Sequence, residues 1–209
     1  GYNKEKVEYA YYLLTQHLGI NMMHSKIIED KHFATLRYDR QDGEKKHVLT
    51  ASGLPGWDFT NPENSSYENL FKLAFSIKVP HKDLQELYKR MIFNLVFANI
   101  DDHLKNHSFI YSKESDSWNL APAYDITYPL NALNNYLRGT RVLSINNKRD
   151  NITFEDLLTI AETYAVKNRK GIIQEVQDAI ALWQPIAEKL QIPNSVIIAI
   201  SKDFKTFTK

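Results

Sequence analysis

Asp101, Asn106 and Asp125 are the residues of this chain whose types and spacing could do chemistry. Asp101 and Asn106 bracket four residues in Asn99-Ile-Asp-Asp-His-Leu-Lys-Asn106, and Asp125 follows 19 positions later in Tyr124-Asp125-Ile126. A carboxylate, four residues, an amide, and then a second carboxylate form the polar core of a phosphoryl-transfer site. The chemistry needs those types. One carboxylate accepts the proton of an attacking hydroxyl. An amide oxygen and another carboxylate supply hard oxygen ligands for Mg²⁺. Asp101 is therefore the candidate base, and Asn106 and Asp125 are the candidate metal ligands.

Such a loop needs elements on both sides. Phe93-Asn-Leu-Val-Phe-Ala-Asn-Ile100 reads as an apolar helix end running into Asp101. Ser108 to Tyr111 reads as a strand leaving the loop, Lys113 to Ser117 as a turn, and Trp118 to Leu120 as a short returning strand. That hairpin carries Asp125 back beside Asp101 and Asn106. Upstream, Lys4 to Leu18 reads as an amphipathic helix stopped by Gly19. Ser25 to Glu29 and His32 to Arg40 read as two strands, with a turn at Asp42-Gly43. Leu54 to Ser66 is a loop, Tyr67 to Ser76 a helix, and Pro80 opens a long helix through Asn99. Asn131 to Asn135 is irregular and a strand is expected near Arg141 to Ile145. Thr153-x-x-Asp156 is a capping-box start. Helices are expected over Phe154 to Val166, Gly171 to Leu190 and Asn194 to Phe207.

Each polar residue also has a plain structural reading. Asp101 and Asp102 could cap a helix or hold a turn, and Asp125 could pair with a buried Arg. His103 reads as structural. Lys105 either contacts a phosphate or faces solvent. Asp39-Arg40 reads as a structural ion pair, and the Tyr9, Tyr11 and Tyr12 group as packing. Glu8 either pairs with a lysine, as the helix Glu of a kinase does, or favours the start of its helix. The order of helix, acidic loop, hairpin and Tyr-Asp-Ile outweighs these readings for Asp101, Asn106 and Asp125.

Composition narrows the class. The chain has 209 residues, enough to bury a core, and a net charge of +1. That balance argues against direct nucleic-acid binding, which favours a strong basic excess. With no cysteine there is no disulfide framework and no thiolate site. No apolar run approaches the roughly 18 residues that mark a membrane-spanning helix, and no membrane partner is expected.

Over about Val7 to Lys167 the chain resembles the C-terminal lobe of HipA-like Ser/Thr kinases, the toxins of bacterial toxin–antitoxin systems. The resemblance rests on Glu8-Tyr-Ala-Tyr-Tyr-Leu-Leu-Thr-Gln-His-Leu-Gly-Ile20, Leu36-Arg-Tyr-Asp-Arg40, the Asp101 loop and Leu120-Ala-Pro-Ala-Tyr-Asp-Ile126. Asp102, Val7 and Tyr38 stand where the family has Gly, Asn and Phe. The resemblance implies an α+β, protein-kinase-like bilobal fold with part of the N-lobe sheet and a mainly helical C-lobe. Residues 1–40 would be a remnant of the N-lobe, with a hinge near 36–40, and residues 41–209 the C-lobe. It implies ATP and Mg²⁺ as cofactors. Leu36 main-chain groups and the Tyr38 ring would hold adenine, and Lys105 and Asn106 would lie at the phosphates. It further implies a protein substrate such as an aminoacyl-tRNA synthetase, translation arrest, an antitoxin partner and a bacterial cytoplasmic setting.

The family's glycine-rich loop and ATP-gripping Lys belong upstream of the first helix, and nothing here resembles them. The chain is therefore expected to be part of a longer kinase, whose N-terminal part supplies both. Two rival classes stay open. A small-molecule phosphotransferase of aminoglycoside or choline kinase type shares the three polar residues, but places His before the base, where this chain has Asn99-Ile100. A non-catalytic kinase-fold binding module would not need Asp101, Asn106 and Asp125 intact.

Overall fold

The structure is a computed structural model that describes residues 3–41, 43–56, 63–129 and 140–208. Helix α1, Lys4–His17, starts where the Asn3 side chain accepts from the Glu5 and Lys6 amides. It ends as Gly19 takes a left-handed φ of +65°. Strands β1 (Ser25–Ile28) and β2 (His32–Thr35) form an antiparallel hairpin with Ser25 opposite Thr35. Glu29 and Asp30 both take positive φ at its tip. Strands β3 (Arg40–Gln41) and β4 (Glu44–Lys45) make a second, minimal hairpin in which Gly43 has φ +84°. Strand β5, His47–Thr50, follows.

Helix α2 covers Tyr67–Ser76, capped by the Ser66 hydroxyl on the Asn69 amide. Helix α3, His81–Val96, begins after Pro80. A single 3₁₀ turn, Leu104–Asn106, leads into β6 (Ser108–Ser112) and β7 (Ser117–Leu120). β5, β6 and β7 pair in that order as one antiparallel sheet. Then come α4 (Phe154–Thr163), α5 (Arg169–Asp178), a 3₁₀ turn at Ala179–Leu182, α6 (Trp183–Lys189) and α7 (Asn194–Ser201).

Several elements differ from the sequence expectation. The second strand stops at Thr35 rather than Arg40, because Arg40 pairs across its own turn with Lys45. β5 is an addition. Residues 141–145 form no strand: they make isolated bridges, Ser66 to Ser144 and Ile145 to Lys148, while the Arg141 side chain turns inward. The helix expected over 171–190 is broken. Pro185 has no N–H for the Ala181 carbonyl, so a new helix starts at Trp183 and places the proline in its first turn. The last helix stops at Ser201. Its tail packs instead: Phe204 lies edge-on against Phe97 and Trp183, and the Lys205 amide donates to the Val96 carbonyl. The expected irregular stretch Asn131 to Asn135 lies outside the described residues.

One apolar core joins α1 to the helices. Val7, Ala10, Tyr11 and Leu14 are fully buried. The Tyr11 ring meets Phe93, Phe97 and Trp183 edge-on, and its hydroxyl donates to the Phe97 carbonyl at 2.6 Å. Burying such a ring contributes about 2–3 kcal/mol, and the hydrogen bond leaves no polar atom stranded. Thus α1, grouped with the first hairpin in the sequence reading, shares its core with α3 and α6. The core fixes where α3 ends. Ala98 takes a positive φ of 54°, and the chain turns out of the helix into the acidic loop.

Candidate active site

The loop from Asn99 to His107 has two rows of side chains. Asp101 is exposed, while Asp102 is 1% exposed and turned into the core. The Asp101 carbonyl accepts from the His103 amide at 2.9 Å and from Asn106 Nδ2 at 3.2 Å. The Asn106 amide group is thereby held by its nitrogen, which sets its oxygen on the other side. Neither Asp101 nor Asp125 has a hydrogen-bond or ion-pair partner for its carboxylate among the described residues. Asp125 takes a left-handed φ of 55°, a conformation that Asp tolerates better than most residues.

Asn106 and Asp125 line one small cavity of about 10 Å³, together with Arg90, His107 and Tyr124. A carboxylate with no protein donor and an amide oxygen beside it fit a hard, oxygen-seeking cation. Glu8 of α1 lies near enough to feel Asp125. Burial first, and then the charges of Asp125 and Glu5, push its carboxyl up to about 7.

Tyr124 braces the loop, a role that sequence spacing did not single out. Its hydroxyl donates to the Lys105 carbonyl at 2.7 Å and shares a 2.5 Å hydrogen bond with Ser108. The Tyr38 ring stacks on Tyr124 at 5.7 Å and 24°. Tyr38 therefore reaches the site, with one face covered by Tyr124. Leu36 is exposed, and its N–H donates to the His24 carbonyl at 3.0 Å, so this main-chain donor already has a partner. The Lys105 side chain is exposed.

Arg90 was also missed. Its guanidinium is buried and donates to Glu86, to the Ala121 carbonyl at 2.8 Å and to the Asn21 carbonyl at 3.2 Å. The Ala123 amide donates to the same Asn21 carbonyl. Arg90 thus fixes the chain on its way from β7 to Asp125, and no local spacing announces a contact to residues so far away. Arg90 pairs with Glu86 and not with Asp125. Asp102 neither caps a helix nor holds a turn; it meets Arg141 inside the protein. Asp39 bonds Arg37 and lies 3.4 Å from Arg40, an exposed ionic group. Tyr9 stacks on Tyr12, and Tyr11 packs in the core.

A roomier cavity of about 630 Å³ lies elsewhere, between Ile100, Arg141, Arg149 and the tail at Phe207. None of Asp101, Asn106 or Asp125 lines it, so its size does not make it the reaction site.

Residues 2–183 match the family model of the HipA-like C-terminal domain. A protein of Sinorhizobium fredii named "Putative kinase Y4dM" is 24% identical over 194 residues, which are 88% of this chain and 44% of that protein. A "Putative kinase" of Haemophilus influenzae is 29% identical over 137 residues, 56% of this chain and 39% of that protein. The chain therefore spans less than half of either relative. Among solved structures, HipA in the Shewanella oneidensis toxin–antitoxin complex with HipB and operator DNA superposes with a TM-score of 0.72 at 19% identity. That match covers 94% of this chain and 53% of HipA, and it shows a shared fold. With the family model matched over nearly its whole length, the chain belongs to the HipA-like C-terminal domain family.

Proposed function

We propose that this chain carries the phosphoryl-transfer loop of an ATP- and Mg²⁺-dependent kinase that acts on Ser or Thr hydroxyls of a protein. One observation supports this most directly. The exposed Asp101 is held by its own main chain to Asn106, and Asn106 and Asp125 line one cavity. In this reading Asp101 accepts or orients the proton of the acceptor hydroxyl. Asn106 and Asp125 would hold Mg²⁺, which would supply positive charge at the ATP phosphates. Tyr38, free of contact with Tyr124 on its outer face, offers a stacking surface for adenine. Lys105 stands at the phosphate side.

The family and the named relatives extend the proposal to a bacterial toxin of the cytoplasm, restrained by an antitoxin protein. An aminoacyl-tRNA synthetase is the proposed substrate, with translation arrest as the outcome. The chain spans less than half of the named relatives, and the proposed activity is that of a whole kinase in which a glycine-rich loop and a Lys complete the ATP site.

Asp101→Asn tests the chemistry in the natural full-length protein. Transfer from radiolabelled ATP to protein should fall by about 10²–10⁴-fold, the usual range for losing a positioned base. Transfer at near the parental rate in the folded variant would refute the assignment.

A further inference from the structure

Asp102 is the least expected residue of the loop. Two adjacent carboxylates point to opposite sides of a non-helical stretch: Asp101 outward, Asp102 inward. Inside, Asp102 Oδ2 accepts from Arg141 Nη2 at 2.5 Å and from the Tyr67 hydroxyl at 2.6 Å. The two ionic side chains are 1% and 3% exposed. Tyr67 in turn accepts from Asn94 Nδ2, and Asn94 Oδ1 accepts from Asn99 Nδ2, each at 3.1 Å. The relay runs from α2 through α3 back to the residue that opens the loop.

Arg141 is equally fixed. Its Nε donates to the Leu143 carbonyl at 2.8 Å, and the neighbouring Val142 amide donates to the Ile100 carbonyl at 2.9 Å. Beyond it, the Ser144 amide donates to the Ser65 carbonyl, and the Tyr67 amide to the Ser144 carbonyl. Residues 141–144 form a strap tied at one end to the residue before Asp101 and at the other to the start of α2.

A buried ion pair is a weak source of stability, because desolvation offsets much of its attraction. Its value is directional. With Asp102 anchored on one side and Ile100 on the other, the backbone at 101 has little freedom, and the Asp101 carboxylate is aimed into solvent.

We infer that Asp102 and Arg141 are positioning residues that clamp the loop so that Asp101 faces the acceptor hydroxyl. This rests on the phosphoryl-transfer reading above. The clamp makes the strap at 141–144 a control point, since anything that shifts it also shifts Asp101.

The test compares Asp102→Asn, Arg141→Met and the double variant in the natural full-length protein. It measures kcat, KM for ATP, and amide hydrogen exchange at 99–106 and 141–145. Asp102→Asn keeps shape and removes charge. The double variant leaves no buried unpaired ion, so it folds even where a single variant does not. We expect kcat to fall about 10–100-fold in either single variant, with KM for ATP within about twofold, as for a misplaced base. The double variant should lose no more than the worse single one. Exchange should rise together at 99–106 and 141–145 and stay unchanged in α4 to α7. Parental kcat in folded Asp102→Asn, multiplying losses in the double variant, or exchange rising evenly through the protein would each overturn the inference. A parental protein that transfers no phosphoryl group refutes the kinase reading instead. Exchange alone then decides the clamp, and unchanged protection at 99–106 in Asp102→Asn would overturn it.

Discussion

At the start of α4, Asp156 is surrounded by its own chain. Its carboxylate accepts from the Thr153 amide and hydroxyl, from Asn146 Nδ2 and from Lys148 Nζ at 2.6–2.9 Å. Burial alone would raise its pKa, but these donors outweigh burial and hold it well below the usual carboxylate range. Asp101, on the loop after α3, and Asp125, after β7, lie among polar residues too. Yet among the described residues no donor reaches either carboxylate. Each place sets carboxylates among polar neighbours. The difference lies in who fills the lone pairs. Where the chain fills them, the carboxylate is part of the fold. Where it leaves them open beside an amide oxygen, it is available to a cation or a hydroxyl. The two patterns meet in consecutive residues: Arg141 and Tyr67 donate to Asp102 Oδ2, whereas no donor of the described residues reaches the Asp101 carboxylate.

The comparison breaks most easily at Asp125. If its open lone pairs serve a metal, Asp125→Asn should weaken Mg²⁺-dependent ATP binding in the full-length protein by about 10–100-fold. Asp101→Asn, which in the proposed reading removes a base rather than a ligand, should change that affinity little. Calorimetric titrations with and without Mg²⁺ separate the two. Equal ATP affinities for both variants at every Mg²⁺ concentration would contradict the division of roles.

Much of this contrast was legible in the sequence. Thr153 and Asp156 stand at capping-box spacing, and the structure forms both reciprocal bonds. The helix expected at Tyr67 to Ser76 has those ends, because Ser66 caps it locally. The β6–β7 hairpin is also local. What was not legible depends on distant partners. β5 is four residues next to Lys45-Lys46, and only β6, some 60 positions on, makes it a strand. Arg141 looked like the start of a strand; its partner, Asp102, lies 39 positions back. The positions of Arg90 and Tyr124 likewise follow from tertiary contacts that no short spacing encodes. The candidate residues could be named from spacing, whereas the residues that fix their backbone could not.

His107 sharpens the contrast from the inner side of the loop. It is 4% exposed, and burial, followed by the positive charges of Arg90 and His103, pushes its pKa down to about 3 from 6.5. The folded protein therefore refuses a proton that the unfolded chain accepts below pH 6.5. Stability contributed by neutral His107 is complete above 6.5 and is lost as pH falls from there toward 3. The slope is about 1.4 kcal/mol per pH unit. Urea midpoints at pH 7, 6 and 5 should fall more steeply for the parental protein than for His107→Gln, the other histidines being common to both. Parallel curves would mean that His107 is not held neutral by the loop.

The smallest effect compares the two kinds of carboxylate directly, by stability alone. Asp156→Ala removes the acceptor of a helix cap and leaves Asn146 and Thr153 without their partner. Losing a cap costs about 0.5–2 kcal/mol, and the orphaned donors add to it, so about 2 kcal/mol is expected in all. A protein of this size loses about 2–4 °C of melting temperature per kcal/mol. Asp101→Asn removes a charge that no side chain of the described chain meets, so its change should stay within about 0.5 kcal/mol. Melting curves of the two variants beside the parent decide the matter. If Asp101→Asn costs as much as Asp156→Ala, then Asp101 is held by the fold after all, and the difference between the two places that supports the proposed reaction site disappears.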